Sequence, residues 1–86
     1  MEANPMTPIT LQRFVKELDK LKREVDAGTL GPEDYDGRLA RIIRELRERG
    51  LDADRATATA ALADAVARGV ITAPVEAHIQ SRLELE

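Results

Sequence analysis

The stretch Gly28-Thr29-Leu30-Gly31-Pro32-Glu33-Asp34-Tyr35 (GTLGPEDY) closes one helical pattern and opens another. Gly28 suits the left-handed residue that ends a helix, and Pro32 suits an opening turn, where its missing N–H leaves nothing unsatisfied. Glu33, Asp34 and Asp36 then lie near the positive end of the new helix dipole. Gly69-Val70-Ile71-Thr72-Ala73-Pro74-Val75 (GVITAPV) repeats the device. Aligning Gly28 with Gly69 pairs Val25 with Val66, Thr29 with Val70 and Leu30 with Ile71. Dropping one residue from the second copy then pairs Tyr35 with Val75, Leu39 with Ile79 and Ile43 with Leu83. A chain that turns back twice in this way is expected to be all-α: four short helices forming two antiparallel helical hairpins in a small bundle.

Working outward, helix one is expected to start at Thr7 as cap with Pro8 in its first turn, Thr10 being a second candidate cap. Its apolar residues Leu11, Phe14, Val15, Leu18, Leu21 and Val25 recur at spacings of three and four, so they share one face. Helix two carries Tyr35, Leu39, Ile42, Ile43 and Leu46 and ends at Gly50, with Gly37 suggesting a close backbone approach. Helix three, capped by Asp52 or Asp54, offers only Leu62 and Val66 as large side chains, joined by Ala58 and Ala65. Helix four opens at Thr72 and carries Val75, Ile79 and Leu83. Residues 1–7 are expected to be disordered, and residues 8–86 to form one helical domain with hairpins 8–50 and 52–84. In it the stripe Leu11, Phe14, Leu18, Leu21 and Val25 meets Tyr35, Leu39, Ile42 and Leu46, with Leu30 closing the turn.

Eighty-six residues make one small domain, near the lower size at which a chain folds alone, so a homodimer or a tight protein partner is expected to complete the burial. Cysteine is absent, which excludes a disulfide framework, a thiolate nucleophile and a thiolate metal site and fits a reducing compartment, the cytoplasm. No apolar run approaches a membrane span. The thirteen basic and sixteen acidic residues leave a net charge of −3, which argues against nucleic acid as the main partner.

No catalytic constellation is recognisable. His78 is the only histidine, and Glu76 and Ser81 stand at offsets that cannot converge with it on one helix face. The acidic groups Glu33, Asp34 and Asp36, and Asp52 and Asp54, lack the alternating spacing of a calcium loop and are accounted for by capping. A non-enzymatic chain without metal, cofactor or small-molecule substrate is expected.

The run LDKLKREVDAGTLGPEDYDGRLARII, residues 18–43, resembles the SHOCT domain, a short bacterial helical hairpin. That family's pattern is Leu-x-x-Leu, then Gly-x-Ile-Thr, an acidic-acidic-aromatic triplet, basic positions and an aliphatic pair. Leu18, Leu21 and Val25 match its first helix, and Gly28 and Leu30 its turn. Glu33, Asp34 and Tyr35 match the triplet, Arg38 and Arg41 the basic positions, and Ile42 and Ile43 the closing pair. Gly31 replaces the family's Thr cap, and the second copy, over residues 62–83, keeps Gly69 to Thr72 but lacks the triplet. The resemblance implies a bacterial module for oligomerisation or protein contact.

Two alternatives belong to other classes. Residues 62–83 can be set out as a helix-turn-helix, with Ala65, Gly69 and Val75 in suitable places and Gln80 and Arg82 able to reach base edges, although Asp64 occupies a position that such motifs keep apolar. A small inhibitor or antitoxin-like protein would instead turn an acidic face to a basic partner. The arginines of helix two, Arg38, Arg41, Arg44, Arg47 and Arg49, do not make one phosphate-binding face. Steps of three drift by about 60° each, so Arg38 and Arg47 lie on opposite sides. Asp34 with Arg38 and Glu45 with Arg49 have the favourable i,i+4 order for ion pairs.

Overall fold

A computed structural model describes residues 7–84. The expectation of disorder over residues 1–7 falls outside the described residues except at Thr7, whose carbonyl accepts a hydrogen bond from Arg49 Nε at 2.8 Å. The fold is all-α, with helices α1 (Leu11–Asp26), α2 (Pro32–Arg49), α3 (Arg55–Ala67) and α4 (Ala73–Leu83). The antiparallel hairpins are α1–α2 and α3–α4. Across them α1 packs on α3 and α2 on α4, so the four packed pairs close a ring that exchanging the hairpins leaves unchanged.

The two turns share three backbone hydrogen bonds at the same offsets. Ala27 N–H donates to Arg23 O, Gly28 N–H to Val25 O and Thr29 N–H to Glu24 O, at 2.9, 3.0 and 3.0 Å. Forty-one residues on, Arg68 donates to Asp64 O, Gly69 to Val66 O and Val70 to Ala65 O, at 2.9, 3.0 and 2.9 Å. Gly28 and Gly69 hold φ of +79° and +78°, the left-handed conformation that closes each helix. The next residues in register, Leu30 and Ile71, are both buried and plug the open end of their hairpins.

The match ends inside the returning helices. Gly31 and Thr72 are their N-caps, so both turns have the same length and no residue is dropped there. The buried face of α4 nevertheless begins one position nearer its cap than that of α2: Ile79 is buried seven residues after Thr72, Leu39 eight after Gly31. One residue is about 100° of helix, so α4 is rotated on its axis relative to α2 by that amount to keep its apolar side inward.

The chain enters differently from the expectation. α1 starts at Leu11 with Thr10 as cap, its Oγ1 accepting from Arg13 N–H at 3.1 Å, and Thr7 and Pro8 precede the helix. Ile9 and Thr10 form a short strand, β1, paired in parallel with β2 (Leu51–Asp52), and Ile9 N–H also reaches Gly50 O at 2.9 Å. Extending the helix back to Pro8 would pull β-branched Ile9 out of this pairing and out of the core, where it is 4% exposed. Asp54, not Asp52, caps α3, accepting from Thr57 N–H at 2.7 Å.

The core runs through both hairpins: Phe14, Leu18, Leu21, Leu39, Ile43 and Leu46 from the first, Ala58, Leu62, Ala65 and Ile79 from the second. Small residues on α3 allow close approach but supply little burial, and Leu62 is its one large buried side chain. At Gly37 a side-chain carbon would meet no described atom within 4 Å, so no backbone approaches there.

Candidate functional site

The expected stripe divides into interior and surface. Phe14, Leu18 and Leu21 are each 1% exposed, and Leu30, Leu39 and Leu46 are buried with them. Leu11, Tyr35 and Ile42 are half-buried against that core, with Ile43 rather than Ile42 in the centre of α2. Val25 departs from the expectation: it keeps the helical period of Leu18 and Leu21 yet is 40% exposed. Periodicity selects a face, but the last turn of α1 runs past the point where its neighbours cover that face.

Val25 opens instead onto a groove of about 370 Å³ at the end of the bundle where both turns meet. Leu30, Pro32 and Tyr35 form the wall from the first hairpin; Val70 and Ile71 form the wall from the second. The turn alignment carries the signal for this second wall, because it sets Val70 and Ile71 opposite Thr29 and Leu30. Lys22 and Asp36 stand at its edge. Partial burial, and then the Asp36 carboxylate, raise the Tyr35 phenol above its usual pKa, against a smaller opposing pull from Lys22. At neutral pH the ring therefore presents an uncharged face and a hydroxyl donor.

A second groove, about 600 Å³, lies between α2 and α4 and differs in character. Arg44, Arg47 and Glu48 line it from α2, His78 and Arg82 from α4, and Ala40 and Ile43 complete its lining. Of the two proposed base-contacting residues, Arg82 is exposed here, whereas Gln80 is half-buried and outside the lining. Two residues apart on a helix is about 200° of rotation, so the pair does not act from one face.

Four arginines outside this groove hold carboxylates. Arg38 faces α1 and meets Glu24 through two contacts of 3.4 Å, not Asp34 as its spacing suggested. Arg49 takes the expected Glu45 at 3.0 Å, and Arg13 reaches the same carboxylate from α1 at 3.4 Å. Arg68 contacts Asp64 at 2.7 Å and Asp19 at 3.7 Å, tying the end of α3 to α1. Arg38 and Arg47 thus lie on opposite sides of α2, as the drift of a three-residue step requires.

Among the described residues, no three His, Cys, Asp or Glu side chains gather into a possible metal site, and no helix is long and apolar enough to cross a membrane. Comparison with protein-family models, curated proteins and solved structures finds nothing that matches this chain.

Proposed function

We propose that the chain is a non-enzymatic protein-interaction module of a small bacterial cytoplasmic protein, and that its first partner is a second copy. One observation carries the proposal: Val25, the large apolar side chain left exposed among the described residues, lies in a groove walled by both turns and bordered by half-buried Tyr35 and Val70. The rest of the stripe is buried in the chain's own core or half-buried against it, and among the described residues this end of the bundle is where a large apolar side chain stays exposed. The SHOCT-like stretch, residues 18–43, contains Val25, Leu30 and Tyr35 and supports the same role. One groove is less than the roughly 800 Å² per partner of a stable complex, so the association is concentration-dependent rather than obligate.

The test is absolute mass by light scattering after gel filtration over a wide concentration range, on the chain and on Val25→Asp. The expected result is a dimer that builds up with concentration and is lost in the variant, whose melting temperature stays close to that of the parent because Val25 is already exposed. A strict monomer at every concentration removes self-assembly as the role.

A further inference from the structure

We infer that the groove between α2 and α4 binds a carboxylate-rich segment of a partner protein. The inference rests on the interaction-module reading and deepens it by naming the partner's chemistry, at a surface separate from the turn-end groove. Arg13, Arg38, Arg49 and Arg68 each hold a carboxylate at 3.0 to 3.4 Å or closer. Of the six arginines that hold none among the described residues, Arg23, Arg41 and Arg55 lie outside this groove, whereas Arg44, Arg47 and Arg82 line it together beside His78.

Gathering like charges is unfavourable, and three arginines against the single carboxylate of Glu48 leave the lining of the groove net positive. Arg44 and Arg47 are one helical turn apart on α2, with Arg82 projecting from the neighbouring helix, so an elongated anion lying along the groove meets all three. Each guanidinium presents a planar fork that a carboxylate accepts with both oxygens.

Phosphodiesters fit the same surface less well. Neither Phe14, which is buried, nor Tyr35, which lies at the other groove, lines it, so His78 is the one aromatic ring in its lining on which a base could stack. The net charge of −3 opposes any polyanion at a distance, and a long duplex more than a short acidic segment. Glu48, inside the groove, is an acceptor that peptide N–H groups satisfy and a phosphate backbone does not.

The test is fluorescence anisotropy of a labelled short oligoglutamate peptide and, separately, of a labelled DNA duplex, at low and at physiological salt. The chain is compared with Arg47→Glu/Arg82→Glu, with Arg47→Lys/Arg82→Lys, and with Arg23→Glu, an equally exposed arginine outside the groove. Helical circular dichroism checks that each variant is folded. The expected result is peptide binding that falls by about tenfold or more in the glutamate double variant, falls less with lysine, and is unchanged in Arg23→Glu. Equal loss in Arg23→Glu, or no peptide binding at low salt, overturns the assignment. Tighter binding of the duplex with the same dependence on Arg47 and Arg82 overturns it in favour of nucleic acid. Val25→Asp leaves peptide binding intact, so failure of self-association in the scattering experiment is read separately from failure here.

Discussion

The two hairpins share one turn and differ in what the turn holds together. Around Gly28 and Gly69 the φ values differ by a single degree and three backbone hydrogen bonds repeat at a constant offset. Behind the first turn stand Phe14, Leu18, Leu21, Leu39, Ile43 and Leu46; behind the second, Leu62 and Ile79 stand among alanines. Local geometry therefore does not report how much each hairpin contributes. The second depends on docking, α3 against α1 and α4 against α2, while the first brings most of the large side chains.

Leu21 and Leu62 make this difference measurable, because they occupy the same place before their glycines and are both 1% exposed. Leu-to-Ala changes in a core cost about 2–5 kcal/mol, the value depending on how far the site collapses around the cavity. Leu21→Ala leaves Leu18 and Phe14 on the same helix to close in, so its loss is expected near the lower end. Leu62→Ala leaves α3 with Ala58 and Ala65 as its fully buried residues, so its loss is expected near the upper end. Urea unfolding of both variants decides it. A larger loss for Leu21→Ala would mean that the second hairpin does not hang on Leu62.

The glycines offer the opposite test, of sameness. At neither Gly28 nor Gly69 would an added Cβ meet a described atom within 4 Å, so substitution by Ala incurs only the left-handed backbone penalty. That penalty is about 1–2 kcal/mol for a non-glycine residue. Gly28→Ala and Gly69→Ala are expected to lose equal stability within it. Unequal losses in the same urea titration would show that the two turns are alike in shape but not in the demands placed on them.

What could be read in the residues, and what could not, follows the range of the forces involved. Helix ends were readable because they obey rules a few residues wide: Gly28, Gly50 and Gly69 stop helices, and Pro32, Asp54 and Thr72 start them. Ile9 was not, because its place depends on the carbonyl of Gly50 and on β2, far along the chain. Arg38 illustrates the same limit: its nearest sequence partner, Asp34, loses to Glu24 across the hairpin. The α2–α4 groove exists only once two helices that are distant in sequence lie side by side, so the spacing of Arg44, Arg47 and Arg82 carries no sign of it. Val25 was half readable, as periodicity placed it on the correct face but not beyond the end of the cover.

The smallest contrast separates the first helices of the two hairpins at their caps. Thr10 caps α1 with a hydroxyl that does not titrate; Asp54 caps α3 with a carboxylate that does. Hydrogen bonds from Thr57, first from its N–H and then from its side chain, hold the Asp54 carboxyl below its usual value near 3.8. A carboxyl depressed in the native state binds its proton more readily when unfolded, so its stabilisation is complete above the unfolded pKa and is lost as pH falls through the native one. Asn caps a helix about as well as Asp and does not ionise. Asp54→Asn is therefore expected to melt close to the parent at neutral pH, and the parent is expected to lose ground against it as pH falls below about 4. Moving the carboxylate, as in Thr10→Asp with Asp54→Asn, should transfer that acid sensitivity to the first hairpin. A difference between parent and Asp54→Asn that stays constant through the acid range would mean that Thr57 holds the protonated cap as well as the ionised one.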